Sequence, residues 1–176
     1  MLKTTFRDQF APQFFTANNR KLYVASNIGR DKVAIVLVDP ATGKEERVVY
    51  VRDDVDVGGL AWSRARKRAS FINFQTWKNE RRYLDPDAAK LFGTLERRLP
   101  GYEVNVQSTT QDETRMIVAA TNERTQGTRY LYDRKADRLT KLGETMPWLP
   151  EDRMAFTKPI TYTSRDGLVI NGYLTL

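Results

Sequence analysis

The chain contains no cysteine and no histidine. Without cysteine there is no disulfide framework, no thiolate nucleophile and no sulfur ligand for a metal. Without histidine the general base of a Ser–His–Asp triad is missing, and so is the commonest zinc ligand. No G-x-S-x-G elbow occurs. Ser26, Ser63, Ser70, Ser108 and Ser164 fall in strand-like or turn-like sequence rather than at a strand–turn–helix junction. Long uncharged apolar runs are lacking as well, and 29% of the residues are charged, which argues against a membrane span. The opening MLKTTFRDQ has no apolar core of the kind a secretory signal needs, and it reads like a chain entered in mid-domain. The compartment stays unassigned.

What is present is a repeat. Leu22–Ala25 is an apolar run, a polar turn follows, and the chain returns through Val33–Val38 to stop at Asp39. Ala69–Phe74 and Met116–Ala120 begin two further returns, which stop at Asp85 and Asp133, so the three aspartates are spaced by 46 and 48 residues. That is the period of a propeller blade, one four-stranded antiparallel sheet per unit. Ahead of each apolar run lie a polar turn and an earlier strand, at Phe14–Thr16, Gly59–Trp62 and Val104–Ser108. Glu45–Val51 and Arg138–Leu142 supply outer strands after turns at 40–44 and 134–137.

After Asp85 the period changes. Asp85-Pro86 is an N-cap followed by proline at the first helical position, and Ala88, Ala89, Leu91, Phe92, Leu95 and Leu99 recur at three- and four-residue spacing until Pro100-Gly101. The pattern predicts a helix over 86–99, and it leaves the second unit's fourth strand undefined. The expected fold is therefore all-β, a partial β-propeller of about three antiparallel four-stranded blades with one inserted short helix. The units span about 10–51, 57–101 and 102–142, and an exit segment at 143–155 completes a propeller part over 1–155. Trp148, beside Pro147, is expected to plug an apolar site there. Ile160–Thr163 and Leu168–Leu174 flank Ser164-Arg165-Asp166-Gly167, a hairpin signal.

Three features invite a chemical reading and admit a plainer one. Gly29 is a lone glycine without strand-to-helix context, which fits a hairpin turn better than a phosphate loop. Asp53, Asp54 and Asp56 show neither a metal-ligand pattern nor a pocket, and read as a solvated connection in which Asp56 caps the following turn. Arg64, Arg66, Lys67 and Arg68, in a chain of net charge +7, are a basic run near Trp77 and Tyr83, but they fall in hairpin turns and match no nucleic-acid module. Catalytic, cofactor and metal residues are none on this reading.

The stretches LYVASNIGRDKVAIVLVDPATGKE at 22–45, YLDPDAAKLFGTLERRLPG at 83–101, YLYDRKADRLTKL at 130–142 and above all ITYTSRDGLVINGYLTL at 160–176 resemble the prolyl-oligopeptidase superfamily of serine peptidases, in its dipeptidyl- and acylaminoacyl-peptidase-like branch. The resemblance implies that 156–176 is a linker and the start of an α/β-hydrolase domain whose remainder is missing. It implies a non-catalytic propeller segment that screens the active site of an enzyme hydrolysing short peptides. None of the family's catalytic or peptide-binding residues maps onto this chain. The alternative is a stand-alone propeller-like module that binds another protein. Exposed sheet edges and apolar faces lead to the further expectation that the chain self-associates.

Overall fold

The computed structural model describes residues 5–176; the reading of the first nine residues falls partly on Met1–Thr4, outside the described residues. Two compact units are present, Met1–Phe92 and Gly93–Leu176.

In the first unit, β1 (Phe10–Phe15), β2 (Leu22–Ser26), β3 (Ala34–Val38) and β4 (Glu45–Tyr50) form one antiparallel sheet in chain order. β1 begins four residues earlier than the sequence pattern suggests. Pro12 and the bulge between Pro12 and Phe14 break its alternation. An edge strand tolerates such a proline because its missing N–H need not serve a second neighbour. β3 reads AIVLV and all five residues are buried. Its side chains alternate between two apolar faces, so the strand is oily throughout, as a strand covered on both sides must be.

β5 (Val57–Ser63), β6 (Arg68–Gln75) and β7 (Asn79–Tyr83) form a second sheet of three strands. Here the expectation of a four-stranded blade needs correcting. The helix α1 (Pro86–Arg98) follows β7 directly, where the other sheets continue into a fourth strand. Asp85 caps it, accepting the N–H of Asp87 at 3.1 Å, and Phe92 meets Phe71 edge-on at 5.1 Å.

Sheets one and two share a core built from Ala25, Val33 and Ile35 on one side and Val57, Leu60, Ala69 and Ile72 on the other. Trp62 stacks on Phe14 at 5.9 Å and tilts against Tyr23 at 6.3 Å. Polar contacts fix the pairing of the two sheets. Val33 N–H donates to Asp56 Oδ1 at 2.7 Å, Val57 N–H to the Val33 carbonyl at 3.0 Å, and Leu60 N–H to Gln13 Oε1 at 2.7 Å. Asp56 thus reaches back to the first sheet instead of capping the turn that follows it.

In the second unit, β8 (Glu103–Thr109), β9 (Arg115–Asn122), β10 (Thr125–Asp133) and β11 (Arg138–Glu144) form a four-stranded meander. Val104, Met116, Val118, Ala120 and Tyr132 give it a buried face. The end of α1 is tied to the β10–β11 turn, where Arg98 donates to the Asp137 carbonyl at 2.8 Å and pairs with its carboxylate. A 3₁₀ turn, Glu151–Arg153, then leads to β12 (Thr157–Thr163) and β13 (Val169–Thr175), a hairpin turned at the expected Asp166-Gly167. Trp148 is 70% exposed, so it plugs nothing, and this corrects its expected role.

Gly127 sits at the irregular start of β10 with φ of +101°. A Cβ there would lie 2.6 Å from the Thr121 methyl and 3.0 Å from the Ala120 carbonyl oxygen. Both the dihedral and the space exclude a side chain. Gly127→Ala is expected to lower stability by about 1–3 kcal/mol. Gly143→Ala, which enters open space, should change it by less than about 0.5 kcal/mol. Urea midpoints at constant m-value compare the two.

Candidate functional site

The three periodic aspartates do the same work in three sheets. Asp39 Oδ1 accepts the N–H of Ala41 at 2.8 Å, Asp85 Oδ1 that of Asp87 at 3.1 Å, and Asp133 Oδ1 that of Lys135 at 3.0 Å. In each case the other carboxylate oxygen faces a cation from the turn or strand start two strands earlier. Lys21 lies 3.9 Å from Asp39, Arg66 Nε 2.7 Å from Asp85, and Arg115 Nε 3.4 Å from Asp133. The backbone repeats along with them. Asn19, Lys67 and Glu113 take the left-handed conformation in the corresponding turns, and so do Gly43 and Asp137, each four residues after its aspartate. An aspartate accepting the N–H two residues on closes a turn by itself, which is why this residue type recurs there. The sequence marks the aspartates; their cationic partners were missed, because lysine and arginine are too common in polar turns to stand out.

These carboxylates are structural by geometry. Burial of Asp85, 3% exposed, works to raise its carboxyl. The hydrogen bond from Arg66, the Asp87 N–H and the nearby charges of Arg66 and Arg68 outweigh it and hold the group below its ordinary value. The Thr110 and Thr114 hydroxyls, with the Thr114 N–H, pull Asp112 down to about 2. In these settings Asp85 and Asp112 act as hydrogen-bond acceptors.

The serines serve strands and turns. Ser26 Oγ accepts the Ile28 N–H at 3.2 Å and Ser63 Oγ the Arg66 N–H at 3.1 Å, and both residues are buried. The Ser70 carbonyl receives Leu84 and Asp85. Ser164 Oγ bonds the Asp166 carboxylate inside the hairpin turn. Gly29, with φ of +74°, lies in the β2–β3 turn as read from sequence. Arg52 grips Asp54 through two nitrogens at 2.6 and 2.8 Å, so Asp54 is paired within the connection. No cluster of three or more metal-ligating side chains occurs among the described residues. Of the basic run, Arg66 pairs with Asp85; farther along, Arg81 lies 4.1 Å over the Phe92 ring.

A polar cluster drawn from distant parts of the chain surrounds Glu151. Its Oε2 accepts the Tyr102 hydroxyl at 2.6 Å, and its Oε1 accepts Asn122 Nδ2 at 2.8 Å and Arg124 Nη2 at 2.9 Å. The Tyr102 and Asn122 bonds and the Arg124 charge lower the Glu151 carboxyl against burial, and the Glu151 bond raises the Tyr102 phenol.

Repeated antiparallel meanders with a carboxylate-closed turn after each third strand define a partial β-propeller. No family model matches the chain. It is 30% identical over 167 residues to dipeptidyl aminopeptidase BIII of Pseudoxanthomonas mexicana, an alignment covering 94% of this chain and 24% of that protein. The fold matches a solved prolyl endopeptidase at TM-score 0.57 and 13% identity, covering 98% of this chain and 24% of the other. Prolyl oligopeptidase B of Galerina marginata matches at 0.55 and 14%, with 97% and 24% covered. The chain is thus similar along 94% of its length to part of a dipeptidyl aminopeptidase, and in fold to part of prolyl oligopeptidases. It spans about a quarter of the length of the relatives it matches.

The Asp85 arrangement has a stability consequence. Its folded-state value lies below the ordinary 3.8, so its contribution is present above that value and is lost as pH falls through the depressed one. Asp85→Ala, which removes the helix cap and strands Arg66, is expected to cost about 2 kcal/mol at neutral pH. Asp85→Asn keeps the cap but removes the charge, and its urea midpoint should fall less than that of the wild type as pH drops from about 5 to about 3.

Proposed function

We propose that this chain is a non-catalytic propeller segment of a serine peptidase, with residues 1–155 as the propeller part and 156–176 leading into an α/β-hydrolase domain. In the intact protein the propeller screens the active site and admits short peptides, and serine acylation cleaves them in the missing domain. The observation that carries the reading is 30% identity to a dipeptidyl aminopeptidase along 94% of the chain. The blade-like sheets, and the hairpin that pairs with neither neighbouring sheet, support it. Substituting this chain for the matching segment of that relative tests the screening role. The chimera should keep dipeptidyl substrates preferred over peptides of about 30 residues. A folded, active chimera that cleaves both equally well would remove the screening role.

The purified chain alone should cleave aminoacyl and dipeptidyl chromogenic substrates no faster than a protein-free control, since it holds no histidine. Activity that follows the chain through several columns and yields to a serine-directed inhibitor would contradict this.

Self-association of the isolated chain belongs to the same reading. The β12–β13 hairpin leaves Ile160, Tyr162, Val169, Tyr173 and Leu174 between 36 and 65% exposed. Covering apolar surface is worth roughly 25 cal/mol per Å², whereas the repulsion of a +7 chain is screened beyond about 8–10 Å. Sedimentation equilibrium in about 0.15 M salt should show dimers or larger species. A monomer of 20.3 kDa at every concentration is the opposite outcome.

A further inference from the structure

The connector between β11 and β12 is held in an unusual way for its length. Apart from the turn Glu151–Arg153 it carries no regular structure, and the hairpin it leads to pairs with no other sheet among the described residues. Six of the seven residues of β12 and five of the seven of β13 are exposed, so apolar burial does little to fix the hairpin's direction. The hold on the connector is polar.

Glu151 supplies one grip, through the three donors Tyr102, Asn122 and Arg124. Arg124 supplies the second, because its guanidinium also lies 4.2 Å from the centroid of the Phe156 ring, one residue before β12. One planar cation at the β9–β10 turn therefore holds a carboxylate and a ring five residues apart, a double task for which an arginine fork is suited and an ammonium is not. Asn122 accepts the Arg124 N–H at 2.9 Å, which shapes the turn that presents the guanidinium. The Arg124 Nε is buried without a hydrogen-bond partner, so the grip is incompletely satisfied.

We propose that Arg124 and Glu151 form a releasable clasp that fixes connector 145–156 on the third sheet's β9–β10 turn and thereby sets the direction in which the β12–β13 hairpin leaves that sheet. The proposal concerns contacts within this chain and stands without the peptidase reading.

The test is limited trypsin digestion of the whole chain, following cleavage after Arg153, with hydrogen exchange of the β9 amides as a measure of global integrity. Glu151→Gln and Arg124→Met should each speed that cleavage at least about tenfold, while β9 exchange stays unchanged. The double variant should fall short of the product of the two single effects, because both remove the one contact they share. Arg124→Lys should restore only part of the resistance. Cleavage within twofold of the wild type overturns the clasp. So does β9 exchange that rises in parallel, which makes these residues part of the general stability of the sheet, and so does a double variant whose effects multiply. Where Glu151→Gln fails to fold, Arg124→Met carries the test alone, and unchanged cleavage in that variant overturns the proposal.

Discussion

A sheet whose central strand is apolar on both faces cannot stand alone. β3 has this character: Ile35 is buried in the core shared with the second sheet, and Val36 and Val38 are buried on the opposite face with Val24 and Ala34. Each such side chain is worth about 1.5–3 kcal/mol when taken from water. That makes covering both faces the dominant demand in the first unit. The second sheet answers it on one side, and Trp62 between Phe14 and Tyr23 shows how large residues at the sheet ends close the seam. A groove of about 360 Å³ bounded by Phe10, Val36 and Val38 remains over the other face.

Apolar burial is non-directional, so it does not decide which strand lies next to which. That task falls to the carboxylates. Each periodic aspartate closes a turn with one oxygen and faces a cation from two strands earlier with the other, which joins parts of one sheet that are not adjacent in sequence. The energy of each exposed pair, such as Lys21–Asp39, is small. Its value lies in register, since a strand slipped by one residue would turn its apolar face to water. Asp85 is the exception in degree. It is buried, its partner Arg66 is better placed, and it also begins a helix.

Much of this was legible because period-2 apolar runs and turn residues obey local rules. The aspartate spacing located three sheets, the Asp-Pro start located the helix within one residue of its end, and Asp166-Gly167 located the hairpin. What escaped depended on partners far along the chain. The first residues of β1 were hidden by Pro12 and a bulge. Asp56 was read as a local cap, although its partner is Val33, 23 residues earlier. Trp148 was expected to be buried because large aromatics usually are, but burial is decided by the neighbours and not by the side chain. The Glu151 cluster draws on Tyr102, Asn122 and Arg124, whose separations of 49, 29 and 27 residues follow no local pattern.

The contrast between the seam of the first two sheets and the connector before β12 bears on which parts of this chain can move. Sheets one and two meet through side chains such as Ile35 and Ile72, both fully buried, and parting them would expose the whole core at once. That cost makes the contact all-or-none. The connector is held by a carboxylate, three donors and one ring, contacts that exchange with water at a net cost of about 1–3 kcal/mol each when the partner is charged. A polar hold can open without unfolding the sheet that carries it. Any reorientation of the hairpin is expected to arise between β11 and β12 and not between the first two sheets.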